Sequence, residues 1–128
     1  MAKWVASSVL DNGLNQIKNN ATRMLLLNTY SAGQSYATIT GGSNVLASVV
    51  MKGTDFTLTD GAASSRALIT TAKSTTAVAA SSTPDLHIAF TNGSNTVYWV
   101  TDESTNQAIG VGNTVNFPAI TYTSSQPS

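Results

Sequence analysis

Residues 84–101 read PDLHIAFTNGSNTVYWVT, and this stretch decides the fold. Two runs rich in apolar and β-branched residues, Leu86 to Phe90 and Thr96 to Thr101, flank the polar loop Thr91-Asn92-Gly93-Ser94-Asn95. Such runs joined by a short loop containing Asn-Gly predict a β-hairpin. Side chains alternate along a strand, so Leu86, Ile88 and Phe90 face a core while His87 and Ala89 face the other way. The same rule sends Tyr98 and Trp99 to opposite faces, leaving one of them outside the main core. His87, the single histidine of the chain, then reads as a solvated or lightly packed strand residue.

Upstream of the hairpin the period changes. Residues 3–21 predict one helix, in which Leu10, Leu14, Ile17 and Ala21 recur at helical spacing and Val5 and Val9 extend the stripe. Gly13 inside it costs about 1 kcal/mol relative to Ala, which close packing against a sheet would justify. Asn19-Asn20 suits the helix end. Short strands follow at 23–27, 45–51, 56–59 and 67–71, with a weaker one at 75–80. Residues 31–43 carry Gly33, Gly41 and Gly42 and read as a long loop with room for one helical turn. After the hairpin come 114–117 and 119–123, separated by Pro118, which cannot donate to a ladder and so marks an edge or a bulge. One helix followed by seven to nine short strands predicts a mainly β fold: a single β-sandwich or jelly-roll-like domain over 1–128, with the sandwich at 23–123 and a polar tail at 124–128.

Composition narrows the chemistry. Only 9% of the 128 residues are charged and the formal net charge is zero, against about 25% charged in an average domain. Ser, Thr and Asn supply roughly a third of the chain, which keeps the surface wet without charge. No basic stripe exists to neutralise phosphates, so nucleic acid is not an expected partner. No apolar run approaches the roughly 18 residues of a membrane span, and the polar breaks at Ser7, Ser8, Asp11 and Asn12 make the N-terminus a poor signal peptide. With no cysteine there is no disulfide framework or thiolate metal site. The sequons at Asn20 and Asn92 read as chance matches in an Asn- and Thr-rich chain.

Catalytic and cofactor signatures are weak throughout. There is no G-x-S-x-G elbow for a nucleophile. Gly41-Gly42-Ser43 lacks the lysine of a phosphate loop, and Gly110-Val111-Gly112 opens no helix. Among the carboxylates, Asp60 and Asp85 read as turn residues and Asp102-Glu103 as a solvated hairpin end; Asp55 with Asp60 is the one pair worth weighing for Ca²⁺. We expect no enzyme, no cofactor and no metal. Arg66, in so uncharged a chain, calls for a carboxylate partner, with Asp60 the nearest. The remaining residues of interest are amphipathic or apolar and suit an interface: Trp4, Val5 and Leu10 at the N-terminal helix, with Tyr98, Trp99 and Tyr122 on the strands.

Four stretches, LDNGLNQIKNNATRMLL, DFTLTDGAASSRALIT, PDLHIAFTNGSNTVYWVT and VGNTVNFPAITYTSSQPS, resemble in this order a family of small structural proteins of tailed bacteriophages, similar to capsid decoration or cement proteins. The resemblance covers most of the chain. Relatives often carry Gly before the Arg of the second stretch, where this chain has Ser65. It implies a virion component made in the bacterial host cytoplasm. The component would bind the outer face of the major capsid protein lattice as a trimer or dimer and stabilise the head. No catalytic residue follows from it. A tail or fibre component of the virion is the alternative. A carbohydrate-binding sandwich, with Trp99 and Tyr98 as a stacking platform, is a further one.

Overall fold

The computed structural model describes residues 3–81, 86–102 and 108–126. The expected turn at Asp85, Glu103 of the hairpin end, and Pro127 and Ser128 of the tail lie outside the described residues. Helix α1 spans Ser7–Asn20, and a single helical turn, α2, spans Tyr36–Ile39. The strands are β1 Arg23–Leu27, β2 Val45–Val50, β3 Phe56–Asp60, β4 Arg66–Thr70 and β5 Lys73–Thr76. They continue with β6 His87–Thr91, β7 Val97–Asp102, β8 Thr114–Phe117 and β9 Thr121–Ser124. They form antiparallel sheets ordered β2-β1-β6-β7, β3-β4-β9 and β5-β8. The fold is therefore mainly β and sandwich-like, as the strand spacing predicts.

The expected hairpin forms, with Ile88 opposite Thr101 and Phe90 opposite Trp99. Its loop is organised by Asn92, whose Oδ1 accepts from the backbone N–H groups of Ser94, Asn95 and Thr96. Gly93 supplies the positive φ, at 76°. The inner face of the sheet joins Met24, Leu26, Ile88, Phe90 and Trp99 to Phe56 and Leu68 of the β3-β4-β9 sheet and Val115 and Phe117 of β8. Phe90 stacks on Trp99 with ring centroids 4.6 Å apart, and Phe56 meets Phe90 edge-on at 6.0 Å.

The outer face is not solvent. Leu25, Leu27 and Ala89 build a second core with Ile39 of α2, against which Tyr30, Val45, Val97 and Val100 pack. The loop over 31–43 thus serves as a cover, and Ser35 caps its helical turn by accepting from the Thr38 N–H. Burial on both faces explains why Arg23-Met24-Leu25-Leu26-Leu27 reads as a continuous apolar run. It also decides between the two expectations for His87, which is packed and not solvated. Its side chain is only 15% exposed, its ring lies 5.6 Å from that of Tyr30, and Nε2 is 3.5 Å from Asp102 Oδ1.

Two register shifts modify the alternation. One lies between Leu26 and Leu27 opposite β2, the other between Phe90 and Thr91 opposite β7. Leu46 and Tyr98 are the additional residues at these bulges. A bulge re-aims side chains, so Leu46 joins Ala47 in the main core and Tyr98 packs beside Trp99 on that core. The expectation that Tyr98 and Trp99 part to opposite faces fails here for that reason.

Helix α1 lays Leu10, Leu14 and Ile17 toward the sheet β3-β4-β9. It starts at Ser7, later than the periodicity predicts: Ala6 is extended, and the N–H and carbonyl of Val5 are both bonded to the Gln126 side chain. Val9 lies off the buried stripe and is exposed. Gly13 is exposed too, with nothing within contact distance of the Cβ it lacks, so it serves no close packing. Lys18 pins the helix end by donating to the carbonyls of Gly53 and Phe56 at 2.7 and 2.9 Å. Pro118 sits where the chain leaves β8, paired with β5, for β9, paired with β4. The weak strand expected at 75–80 forms earlier, at Lys73–Thr76, and the last strand forms later than expected, at Thr121–Ser124.

Since Gly13 has open space and an ordinary helical backbone, Gly13→Ala should stabilise the chain by about 1 kcal/mol. Urea unfolding checks this; an unchanged or lower midpoint contradicts it.

Candidate functional site

Val5 and Gln126 meet at one corner. Gln126 behaves as a third strand's amide toward Val5: its Oε1 accepts from the Val5 N–H at 2.8 Å and its Nε2 donates to the Val5 carbonyl at 2.9 Å. The same Nε2 donates to the Ser64 carbonyl at 3.0 Å. Val5, one of the residues expected at an interface, is thus bonded to Gln126 of the polar tail.

Arg66 fixes the adjoining wall. It lies directly opposite Asp60 across β3 and β4. Nη1 donates to Asp60 Oδ1 at 2.6 Å, as expected from proximity in sequence, and Nε donates to Asp11 Oδ1 at 2.7 Å, joining helix to sheet. Hydrogen bonding to Asp11 first, and to Asp60 second, raises the guanidinium pKa further. Between these strands, Ala63 and Ser64 hold φ of 53° and 62°. That is left-handed backbone, disfavoured for residues with a Cβ. The turn is closed by the Gly61 N–H donating to Ser65 O and by Ser65 N and Oγ both donating to Ala62 O. Together these elements and the exposed Trp4 border a cleft of about 400 Å³.

The six residues singled out from sequence separate into two groups. Trp4 is 73% exposed, and Tyr122 is exposed at the sheet edge with its ring 5.2 Å from Trp99, edge to face. Leu10 and Trp99 are buried, and Val5 and Tyr98 are half-buried. Leu10 is spent on the helix–sheet contact and Trp99 on Phe90, so neither offers a face to a partner, and the Trp99–Tyr98 platform is not on the surface. Sequence reading missed Val78 and Val111, each 68% exposed. They flank the bonds that Ala77 exchanges with Asn113 and Gly112 on adjacent segments. Val111 lies outside every expected strand, and Val78, inside the strand expected at 75–80, falls beyond the observed β5, which ends at Thr76.

Asp55 and Asp60 bracket β3, a five-residue strand, so about 15 Å of extended chain separates them. The pair weighed for Ca²⁺ therefore does not converge. Among the described residues no three His, Asp or Glu side chains gather as metal ligands, and no helix is long and apolar enough to cross a membrane. Asp55 instead accepts from the Lys52 N–H at 2.8 Å and faces the Lys73 ammonium at 3.0 Å. Burial by itself raises this carboxyl's pKa; the Lys52 amide and Lys73 outweigh it and hold it below the usual range.

Compared with known proteins, the chain matches no family model, no curated protein and no solved structure.

Two expectations follow from these contacts. A carboxylate with a depressed folded-state pKa stabilises the fold above its unfolded value of about 3.9, and that contribution disappears as pH falls through the folded value. Asp55→Asn should thus melt lower than the parent at pH 7 and converge with it below about pH 4; a constant gap from pH 7 to 2 contradicts this. A Cβ on Gly61 would collide with the buried Ser65 Oγ. Gly61→Ala should lose about 1–3 kcal/mol by overpacking, and Ser65→Gly in the same chain should recover most of it. Denaturation of the single and double variants decides; additive losses contradict the contact.

Proposed function

We propose that the chain is a structural part of a tailed-phage virion that decorates the outer face of the major capsid protein lattice, as a trimer or dimer. The observation that carries this reading is the apolar pair Val78 and Val111, both 68% exposed on adjacent segments of a chain with only 9% charged residues. A valine left in water loses the roughly 1.5–3 kcal/mol that full burial contributes, so two such neighbours are best accounted for by a surface that covers them. A near-neutral surface offers no long-range repulsion between copies, which suits dense packing on a lattice. Many modest contacts repeated around a symmetry axis then add through effective concentration. The role is non-catalytic: burying apolar surface between adjacent capsomers would resist the outward pressure of a packaged genome. The sequence resemblance to phage decoration proteins supports the same reading.

Val78→Asp with Val111→Asp tests it. Both side chains are exposed, so thermal stability should change by no more than about 0.5 kcal/mol. Co-sedimentation with heads assembled without the protein should weaken at least tenfold, and the parent chain should restore resistance of those heads to heat and osmotic shock. Unaltered binding by the double variant, or a labelled parent chain found on the tail, overturns the reading.

A further inference from the structure

We propose that the cleft bordered by Trp4 and Arg66 binds a neutral saccharide. Its volume of about 400 Å³ lies within the usual range for small-molecule sites, about 300–1,000 Å³. The lining combines one large amphipathic ring, Trp4, with the carboxylate of Asp60, the guanidinium of Arg66 and the hydroxyl of Ser64. A pyranose presents this pairing of chemistries: an apolar C–H face that packs on an aromatic ring, and an edge of hydroxyls that both donate and accept.

Charge removes the main competitors. Arg66 already serves two carboxylates, Asp11 and Asp60, so the three groups carry one net negative charge between them. Among the described residues lining the cleft the one cation is Arg66, already committed, so an anionic ligand gains little there. A cationic ligand would meet the guanidinium beside the carboxylates. A wholly apolar ligand would strip water from Asp60, whose side chain is 91% exposed, at a cost no apolar group returns. A neutral hydroxyl donating to Asp60 avoids all three penalties.

The walls are set before any ligand arrives. Gln126 ties the Trp4–Val5 segment to the Ser64 turn, and the Arg66 fork fixes β3, β4 and α1 at the cleft. Ala63 and Ser64 hold left-handed backbone, and such strain gathers at ligand sites, where it pre-organises the backbone.

A glycan array of neutral and acidic oligosaccharides tests this, followed by titration of the strongest neutral hit with indole fluorescence and amide shifts as readouts. The expected result is retention of neutral glycans, with affinity reduced at least tenfold in Trp4→Ala and in Asp60→Asn. Shifts should centre on residues 61–66 and Gln126. Trp4 is exposed, so loss of affinity with an unchanged melting temperature reports the site and not the fold. Val78→Asp with Val111→Asp should bind sugar normally, which separates failure of this site from failure of the lattice reading. No retained glycan, retention of acidic glycans only, a tetralysine peptide binding in preference to the sugars, or undiminished binding by Trp4→Ala each overturns the proposal.

Discussion

The β1–β6 pair is covered on both faces, and the rest of the chain is arranged to cover it. Every residue from Met24 to Leu27 and from Ile88 to Thr91 is buried. Backbone in that position must find all its hydrogen bonds in the sheet, and β2 and β7 supply them from either side. Its side chains then require two separate apolar covers. Sheet β3-β4-β9, strand β8 and helix α1 provide one; α2 and Tyr30 provide the other. Among the described residues no buried side-chain polar atom is left without a partner. The cost of enclosing this pair is thereby met without orphaned groups.

The flanking strands answer the same constraint by a shared device. β2 and β7 each carry one bulge, and each bulge adds a side chain to the main core, Leu46 on one side and Tyr98 on the other. Trp99, directly opposite Phe90, stacks on it, and Tyr122 meets Trp99 edge to face. The most exposed apolar residues lie away from this centre: Trp4 beside the cleft, and Val78 with Val111 beyond the β5-β8 ribbon. The proposed functions divide along that line, with lattice contact given to the valines and ligand contact to the tryptophan corner.

Local physics was legible in the sequence, and long-range physics was not. The hairpin, eight of the nine strand positions to within two residues and the helical turn in the 31–43 loop follow from alternation and turn chemistry, which act over a few residues. The Arg66–Asp60 pair was legible because a turn sets the two in cross-strand register. Asp11 as the second partner lies 55 residues away, and Gln126 meets Val5 across 121, so no local pattern announces either. A bulge changes the parity of everything beyond it without altering composition, and the misplacement of Tyr98 and Trp99 follows from that. Val111 was passed over because periodicity speaks only of residues inside regular elements, and Val78 because the strand expected at 75–80 forms at Lys73–Thr76 and ends before it.

Native-state hydrogen exchange tests the central constraint most directly. If the doubly covered pair is the last structure to open, amides of Leu25, Leu26, Ile88 and Ala89 exchange slowest, at the free energy of global unfolding. Those of α1, covered on one side only, exchange faster through sub-global opening. Amides of Leu14 to Lys18 outlasting those of β1 and β6 would contradict the account and place the stable centre in the helix.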